Sequence, residues 1–314
     1  MNHPLAKRLL LTACTLILAT TGMATGSGDI AAVCSRASSD YVRVRRPDGS
    51  FEPEYYVFGE GGRHSGGMKD ETIDPLRFLD IAHVIAVPLA DKGYLPAKDP
   101  AHAKFLIMVY WGITDVPMSV SGSQAYSNFS GAQAAMSAST GQPTSSSVRG
   151  APGMSTAGVS SPSDAVLSQM SAATVQLNVE NRLRDQIDFA NAGLLGYDSE
   201  GVIGTDYGNA QRGLALGLRR DTLVSEIEDN RYFVVLMAYD FQEVWKEKKH
   251  KLVWETRFSM RSSGHDFARD LPKMARYAAS YFGVNTKGLV RDAFPEGKVS
   301  IGEVKSMGAV EPPK

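Results

Sequence analysis

Apolar and polar positions alternate most clearly in the last third of the chain. Tyr232 to Phe241 and Leu252 to Met260 are two β-rich runs on either side of a charged turn, Lys246-Glu247-Lys248-Lys249-His250. In the second run Leu252, Trp254, Thr256, Phe258 and Met260 fall on one face and Val253, Glu255, Arg257 and Ser259 on the other. That period of two predicts a hairpin with Trp254 in the core. Phe105 to Trp111 is an unbroken apolar run bounded by Lys98-Asp99-Pro100 and Gly112, and predicts a central strand covered on both faces. Two shorter strands are predicted over Tyr41 to Arg45 and Glu54 to Phe58, separated by a turn at Pro47-Asp48-Gly49. A glycine-rich loop, Gly59 to Gly67, follows them.

Four helices are predicted. Asp74 and Pro75 read as the start of a helix with Leu76, Leu79, Val84 and Val87 on its apolar side, ended or kinked by Pro88 and stopped by Gly93. Asp164 opens a long helix to about Ala190, on which Val175, Val179, Leu183 and Ile187 recur every four residues and which Gly193 stops. A second helix over 210–229 pairs with it as an αα-hairpin. Asp266 to Phe282 places Phe267, Leu271, Met274, Ala278 and Phe282 inward, with Gly283 as terminator. One last strand is predicted over Val299 to Val304.

These elements imply an α+β fold: a mixed or antiparallel sheet with helices packed on one face, plus a helical insertion. The domain occupies 41–116 and 231–283. It is preceded by a flexible leader, 25–40, and followed by a tail, 284–314. It is split by a Ser/Gly/Ala-rich stretch, 117–163, in which Arg149 is the sole charged residue, and by the helical hairpin, 164–230. The stretch 117–163 is too poor in apolar bulk to offset its ordering entropy and is expected to be disordered.

The first residues change the picture of where the protein acts. Lys7 and Arg8 precede an apolar run, Leu9 to Ala19, and small residues at Gly22 and Ala24. This is the pattern of a signal peptide over 1–24. The run is about half the ~20 residues a membrane span needs. Export to the periplasm or the outer membrane is therefore expected. Leu11-Thr12-Ala13-Cys14 offers a rival route, lipidation at Cys14. Cleavage after Ala24 leaves Cys34 as the only mature cysteine, so no intramolecular disulfide is expected. Losing Lys7 and Arg8 takes the formal charge from −1 to −3, which with export argues against a nucleic-acid partner. No transmembrane helix is expected in the mature chain.

Four short motifs resemble a family of small bacterial envelope proteins, many of them lipid-anchored, that share an α+β domain of unknown function. They are Tyr55-Tyr56-Val57-Phe58, Gly93-Tyr94, the apolar run Phe105 to Tyr110, and Leu252-Val253-Trp254 after Tyr239-Asp240-Phe241. The match spans roughly 52–116 and 231–283. Ala103-Lys104 departs from the family's Ala-Asp, and 117–230 is foreign to it. The resemblance implies an envelope location and this fold, and carries over no catalytic residue.

Candidate chemistry is sparse. In the loop Gly59 to Lys69, Met68 stands where a phosphate-binding loop requires Lys, and Asp70-Glu71 would repel phosphate. His64 and Ser65 are adjacent but lack a nucleophile elbow. His64, His83, His102, His250 and His265 form no His-x-x-x-His pair, so neither metal nor cofactor is expected. His83 reads as a semi-buried helical residue. The one surface that suggests recognition is the hairpin turn, where Lys246, Lys248, Lys249, His250 and Lys251 crowd beside Trp245 with Glu247 as the opposing charge. Anionic lipid or an acidic wall polymer would suit it; the bland alternative is a solvated turn that prevents edge-to-edge aggregation. The sequence thus points to an exported, non-enzymatic binding or assembly protein. Its alternatives are a periplasmic enzyme centred on Gly59–Lys69 and a secreted surface or structural protein.

Overall fold

Seven strands form one mixed sheet in the order β3-β2-β4-β5-β6-β1-β7. The computed structural model describes residues 30–119, 122–140, 162–197 and 222–293. The predicted signal peptide, residues 141–161 of the Ser/Gly/Ala stretch, 198–221 and the predicted strand 299–304 lie outside them. In chain order the strands are β1 Ile30–Ala37, β2 Glu54–His64, β3 Tyr94–Pro96, β4 Phe105–Ile113, β5 Arg231–Asp240, β6 Leu252–Arg261 and β7 Leu289–Ala293. The helices are α1 Phe78–Asp91, α2 Gln124–Ser139, α3 Asp164–Leu195, α4 over 222–228 and α5 Phe267–Ala278. β2 pairs in parallel with β3 and β4, and every other pairing is antiparallel.

The chain is an α+β protein. α1 and α5 pack on one face, over a core that includes Phe105, Trp111, Val234, Trp254, Phe258 and Leu271. The predicted alternation in β6 holds from Trp254 on, with Trp254, Phe258 and Met260 buried in that core, but at the register shift before it Val253 joins the same core and Leu252 is only half-buried. Trp254 stacks on Phe282 with ring centroids 6.2 Å apart, and Tyr94 lies 5.5 Å from it. The opposite face is covered by the insertion. Ala192, Leu195, Leu223 and Ile227 close over Ala32, Phe233 and Val235.

Several elements differ from the sequence expectation. The flexible leader of 25–40 is a strand from Ile30 onward. β1 lies between β6 and β7, with Ala31, Ala32, Val33 and Cys34 all buried. Its Ser35 hydroxyl is held by Glu255 O at 2.9 Å, Tyr281 O at 2.8 Å and Thr256 Oγ1 at 2.7 Å. Tyr41 to Arg45 is no strand; it makes one bridge, Arg45 to Phe51, because Tyr41 and Arg43 turn toward Glu54. The glycine-rich loop is, as far as His64, the second half of β2. Its glycines leave room for β4 side chains: a Cβ on Gly61 would sit 2.6 Å from the Tyr110 ring. Gly62, at φ +123°, accompanies the register shift there.

α1 starts later than Asp74. Arg77 is its N-cap, and its N–H donates to the Asp80 carboxylate at 2.9 Å. Pro88 does not end it; the helix runs on to Asp91 with Pro88 buried in its last turn, where it removes a single ladder bond. Ile81, Ile85 and Leu89 face the core, whereas Leu79, Val87 and His83 are exposed. β4 is an interior strand with one face buried and the other half-covered. Within the predicted disordered stretch, Gln124–Ser139 is the helix α2. Ser123 caps it, accepting from the Tyr126 N–H at 2.9 Å, and Ala125, Ala132 and, on α3, Ala173 are buried. α3 passes Gly193 and ends at Gly196, whose φ of +80° suits a glycine cap. β3 and β7 were not foreseen.

Candidate functional site

The hairpin turn grows out of β5 and β6. Asp240 ends β5, and its carboxylate accepts from the N–H groups of Gln242 and Glu243 at 3.0 and 3.1 Å. This starts a single π-helical turn, Glu243–Glu247, closed by Lys248 in the left-handed region at φ 59°. The Gln242 amide donates to Ala101 O and Ala103 O, fastening the turn to the loop before β4. Trp245 packs against Phe241 at a tilt of 59°, with centroids 5.3 Å apart, and is still 49% exposed. His250 meets the Tyr239 ring at 6.1 Å.

All of Trp245, Lys246, Lys248, Lys249, His250 and Lys251 are exposed at this tip. Their charges are more balanced than the sequence suggests. Lys249 pairs with Glu247 at 2.9 Å. Lys251 lies 3.4 Å from Asp40 and 3.7 Å from Glu243. Glu247 is therefore not the only opposing charge. Asp40 is brought in from the loop after β1, a long-range contact with no signal in the local sequence. Lys246 and Lys248 have no ion pair among the described residues, although Asp40, Asp240, Glu243 and Glu247 match the four lysines of the tip in number.

Lys251 also lines a polar crevice of about 170 Å³ beside the tip, with Asp40, Tyr41, Lys104 and Asp240. Behind it lies a buried carboxylate that the sequence did not single out. Glu54 accepts from the Tyr41 hydroxyl at 2.5 Å and from Lys104 Nζ at 2.5 Å, and Arg43 Nε is 3.2 Å away. The Arg43 guanidinium lies 4.2 Å from the ring centroids of both Phe51 and Tyr94. Burial, then the neighbouring Tyr94 and Glu54, drives the Tyr41 hydroxyl far above its ordinary pKa. Burial pushes Tyr94 up to about 12. Neither phenol ionises near neutrality, so the cluster offers hydrogen bonds and no nucleophile. The alternating Tyr-Val-Arg-Val-Arg pattern was its only trace in the sequence, and it read as a strand.

The Gly59–Lys69 region forms no comparable cluster. His64 ends β2 on the α3 side of the sheet, and its Nε2 lies 3.1 Å from Asp115 Oδ2. The Asp115 backbone is gripped by Asn191, whose Nδ2 donates to Asp115 O at 2.7 Å. Among the described residues Asp115 is the only side-chain hydrogen-bond partner of His64. A nucleophile activated by such a pair needs a hydroxyl or thiol within hydrogen-bond reach of the imidazole, and none is hydrogen-bonded to His64 among the described residues. Among the described residues no group of three or more His, Cys, Asp or Glu is placed to hold a metal. Cys34 is buried and forms no disulfide among the described residues. No helix among the described residues is long and apolar enough to cross a membrane. No protein-family model and no curated protein matches the chain.

Proposed function

We propose that the protein is an exported binding module of the cell envelope, and that the tip of the β5–β6 hairpin is its contact with an anionic partner, phospholipid headgroups or an acidic wall polymer. The observation that supports this most is the exposure of Trp245 on the same turn as Lys246 and Lys248, two ammonium groups with no ion pair among the described residues. The tip is held rigidly by Asp240 and Gln242, so its cations and its indole are presented together at little entropic cost. Lysines near an anionic surface contribute ~1 kcal/mol each, and an interfacial indole anchors the contact. The resemblance to envelope proteins agrees with this reading. An enzyme centred on Gly59–Lys69 gains from the structure only the His64–Asp115 pair, to which no hydroxyl or thiol is hydrogen-bonded among the described residues.

The test is co-sedimentation of the mature chain with vesicles containing phosphatidylglycerol, at low and at high salt. Binding at low salt and release at high salt is expected. The double substitution Lys246→Glu and Lys248→Glu should weaken binding by about tenfold or more at an unchanged melting temperature. Equal sedimentation of wild type and variant, or none by either, would overturn the proposal.

A further inference from the structure

The helix-bearing face of the sheet carries a second site, independent of the hairpin tip. Beyond the three residues that pair with β3, β2 and the start of α1 border an open cleft of about 410 Å³. Small-molecule sites occupy ~300–1,000 Å³ and combine an apolar lining with a few convergent polar groups. Trp111 supplies much of the apolar lining here. It is 2% exposed and stacks with the half-buried Phe78 at 6.4 Å between ring centroids. Leu76 and Leu79 extend the same surface. The buried Nε1 of Trp111 has no hydrogen-bond partner, so the indole keeps an uncommitted donor.

The polar lining is exposed and carries both signs: Arg63 and Arg77 on one hand, Glu60 on the other. Arg63 engages Asp74 through Nη1 alone, 3.2 Å from the carboxylate and 3.0 Å from the backbone oxygen. Arg77 engages Asp80 through Nε at 3.5 Å. Asp74 and Asp80 lie outside the lining. The remaining guanidinium nitrogens have no partner among the described residues, and neither has the Glu60 carboxylate. The first two amides of α1, at Phe78 and Leu79, also lack an acceptor there, as helix starts do. Free guanidinium edges and a helix start suit a carboxylate. Glu60 suits an ammonium. A simple anion would meet Glu60 unpaired and a simple cation would meet the arginines, whereas a zwitterion answers both. The apolar lining then takes whatever the zwitterion carries.

We infer that this cleft binds a free α-amino acid with a large apolar side chain, such as phenylalanine or leucine. Its carboxylate lies against Arg63, Arg77 and the start of α1, its ammonium at Glu60, and its side chain on Trp111 and Phe78. A ligand of about a dozen non-hydrogen atoms in an open cleft binds with a dissociation constant on the order of 0.1–1 mM.

Titration of the nitrogen-15-labelled mature chain with L-phenylalanine tests this, read from the indole N–H signals of its tryptophans, with calorimetry for affinity. A saturable shift of the Trp111 signal is expected, with Trp245 and Trp254 unmoved. Phenylalanine should bind about tenfold or more tightly than 3-phenylpropionate, which lacks the ammonium, or phenethylamine, which lacks the carboxylate. Glu60→Gln should reduce phenylalanine to the affinity of 3-phenylpropionate. Arg63→Gln with Arg77→Gln should reduce it to that of phenethylamine. All three side chains are exposed, so the melting temperature should stay in place in both variants. No saturable shift of Trp111 up to about 20 mM phenylalanine would overturn the inference. So would equal affinity for the three compounds, or variants that keep the wild-type preference.

Discussion

Two residues, Trp254 and Asp188, show what the sequence makes visible and what it hides. Trp254 reads as core from its alternating neighbours, and it is 1% exposed. Asp188 does not stand out at all, yet the fold places it awkwardly. Its Oδ1 is buried without a hydrogen-bond partner among the described residues. Burial, then the nearby Glu228, raises its pKa from 3.8 to about 6, with Arg184 offsetting part of the rise. A carboxyl whose pKa is raised on folding binds more protons in the native state than in the unfolded one, so stability is highest below pH 4 for this group and falls as pH rises toward 6. Above that the ionised group remains a cost, on the order of 1 kcal/mol after allowance for solvent screening. Asp188→Asn should therefore raise the melting temperature at pH 7.5 by a few degrees and leave it nearly unchanged at pH 4. Thermal melts at the two pH values check this; an equal shift at both would mean that ionisation is not the cause. Nothing local to Asp188 foretells the shift, because it depends on Glu228, which comes from another helix.

At the scale of elements, what was legible followed the strength of local pattern. β5, β6 and α5 carry large apolar residues at the right period and lie where the pattern puts them. β1 was missed because Ala31, Ala32, Cys34 and Ser35 are small. Ala32 and Cys34 are small for a structural reason: a Cβ on Gly196, at the end of α3, would lie 2.6 Å from Cys34 Cβ, so the insertion packs directly on this face of the strand. Glycines mislead in the same way. Gly59 to Gly62 read as a loop and form a strand, where missing side chains make space for β4. Gly112 is the strictest case, since a Cβ there would overlap the carbonyl oxygen of His64 on the neighbouring strand. Backbone cannot yield as a side-chain end can, and the β2–β4 ladder would have to open. Gly131, in the interior of α2, has nothing within 4 Å of the same atom. Gly112→Ala should therefore cost ~2–4 kcal/mol, whereas Gly131→Ala should be neutral or stabilise α2 by up to ~1 kcal/mol. Urea unfolding followed by fluorescence separates the two; similar losses at both positions would mean that β2 and β4 are not packed this closely.

At the scale of the molecule, chain order and spatial order disagree in an informative way. The first half of the domain and the second are separated by more than a hundred residues of insertion, yet neither half is a sheet of its own. β4 from the first half pairs with β5 from the second over nine residues, Phe105 to Ile113. β1, from the start of the chain, pairs with β6 over seven, Ala31 to Ala37, and with β7 on its other side. α1 and α5, one from each half, share the core cluster that also holds Trp111 and Trp254. The candidate binding surface is likewise shared: Asp40 and Lys104 come from one half, Asp240 and Lys251 from the other. That is why the crevice could not be read from sequence, where its members lie far apart. It also means that the connection through the insertion is needed for folding efficiency more than for holding the folded halves together, because the buried contacts between them are those of a domain core. A site-specific protease sequence placed near Gly150 tests this directly. After cleavage under native conditions the two fragments should co-elute as a single species of unchanged size, keep the melting transition within a few degrees, and separate in denaturant. Elution as two independent fragments would show that the sheet is not continuous across the β4–β5 and β1–β6 ladders, and would dissolve the crevice and the basis for the hairpin tip's rigidity together.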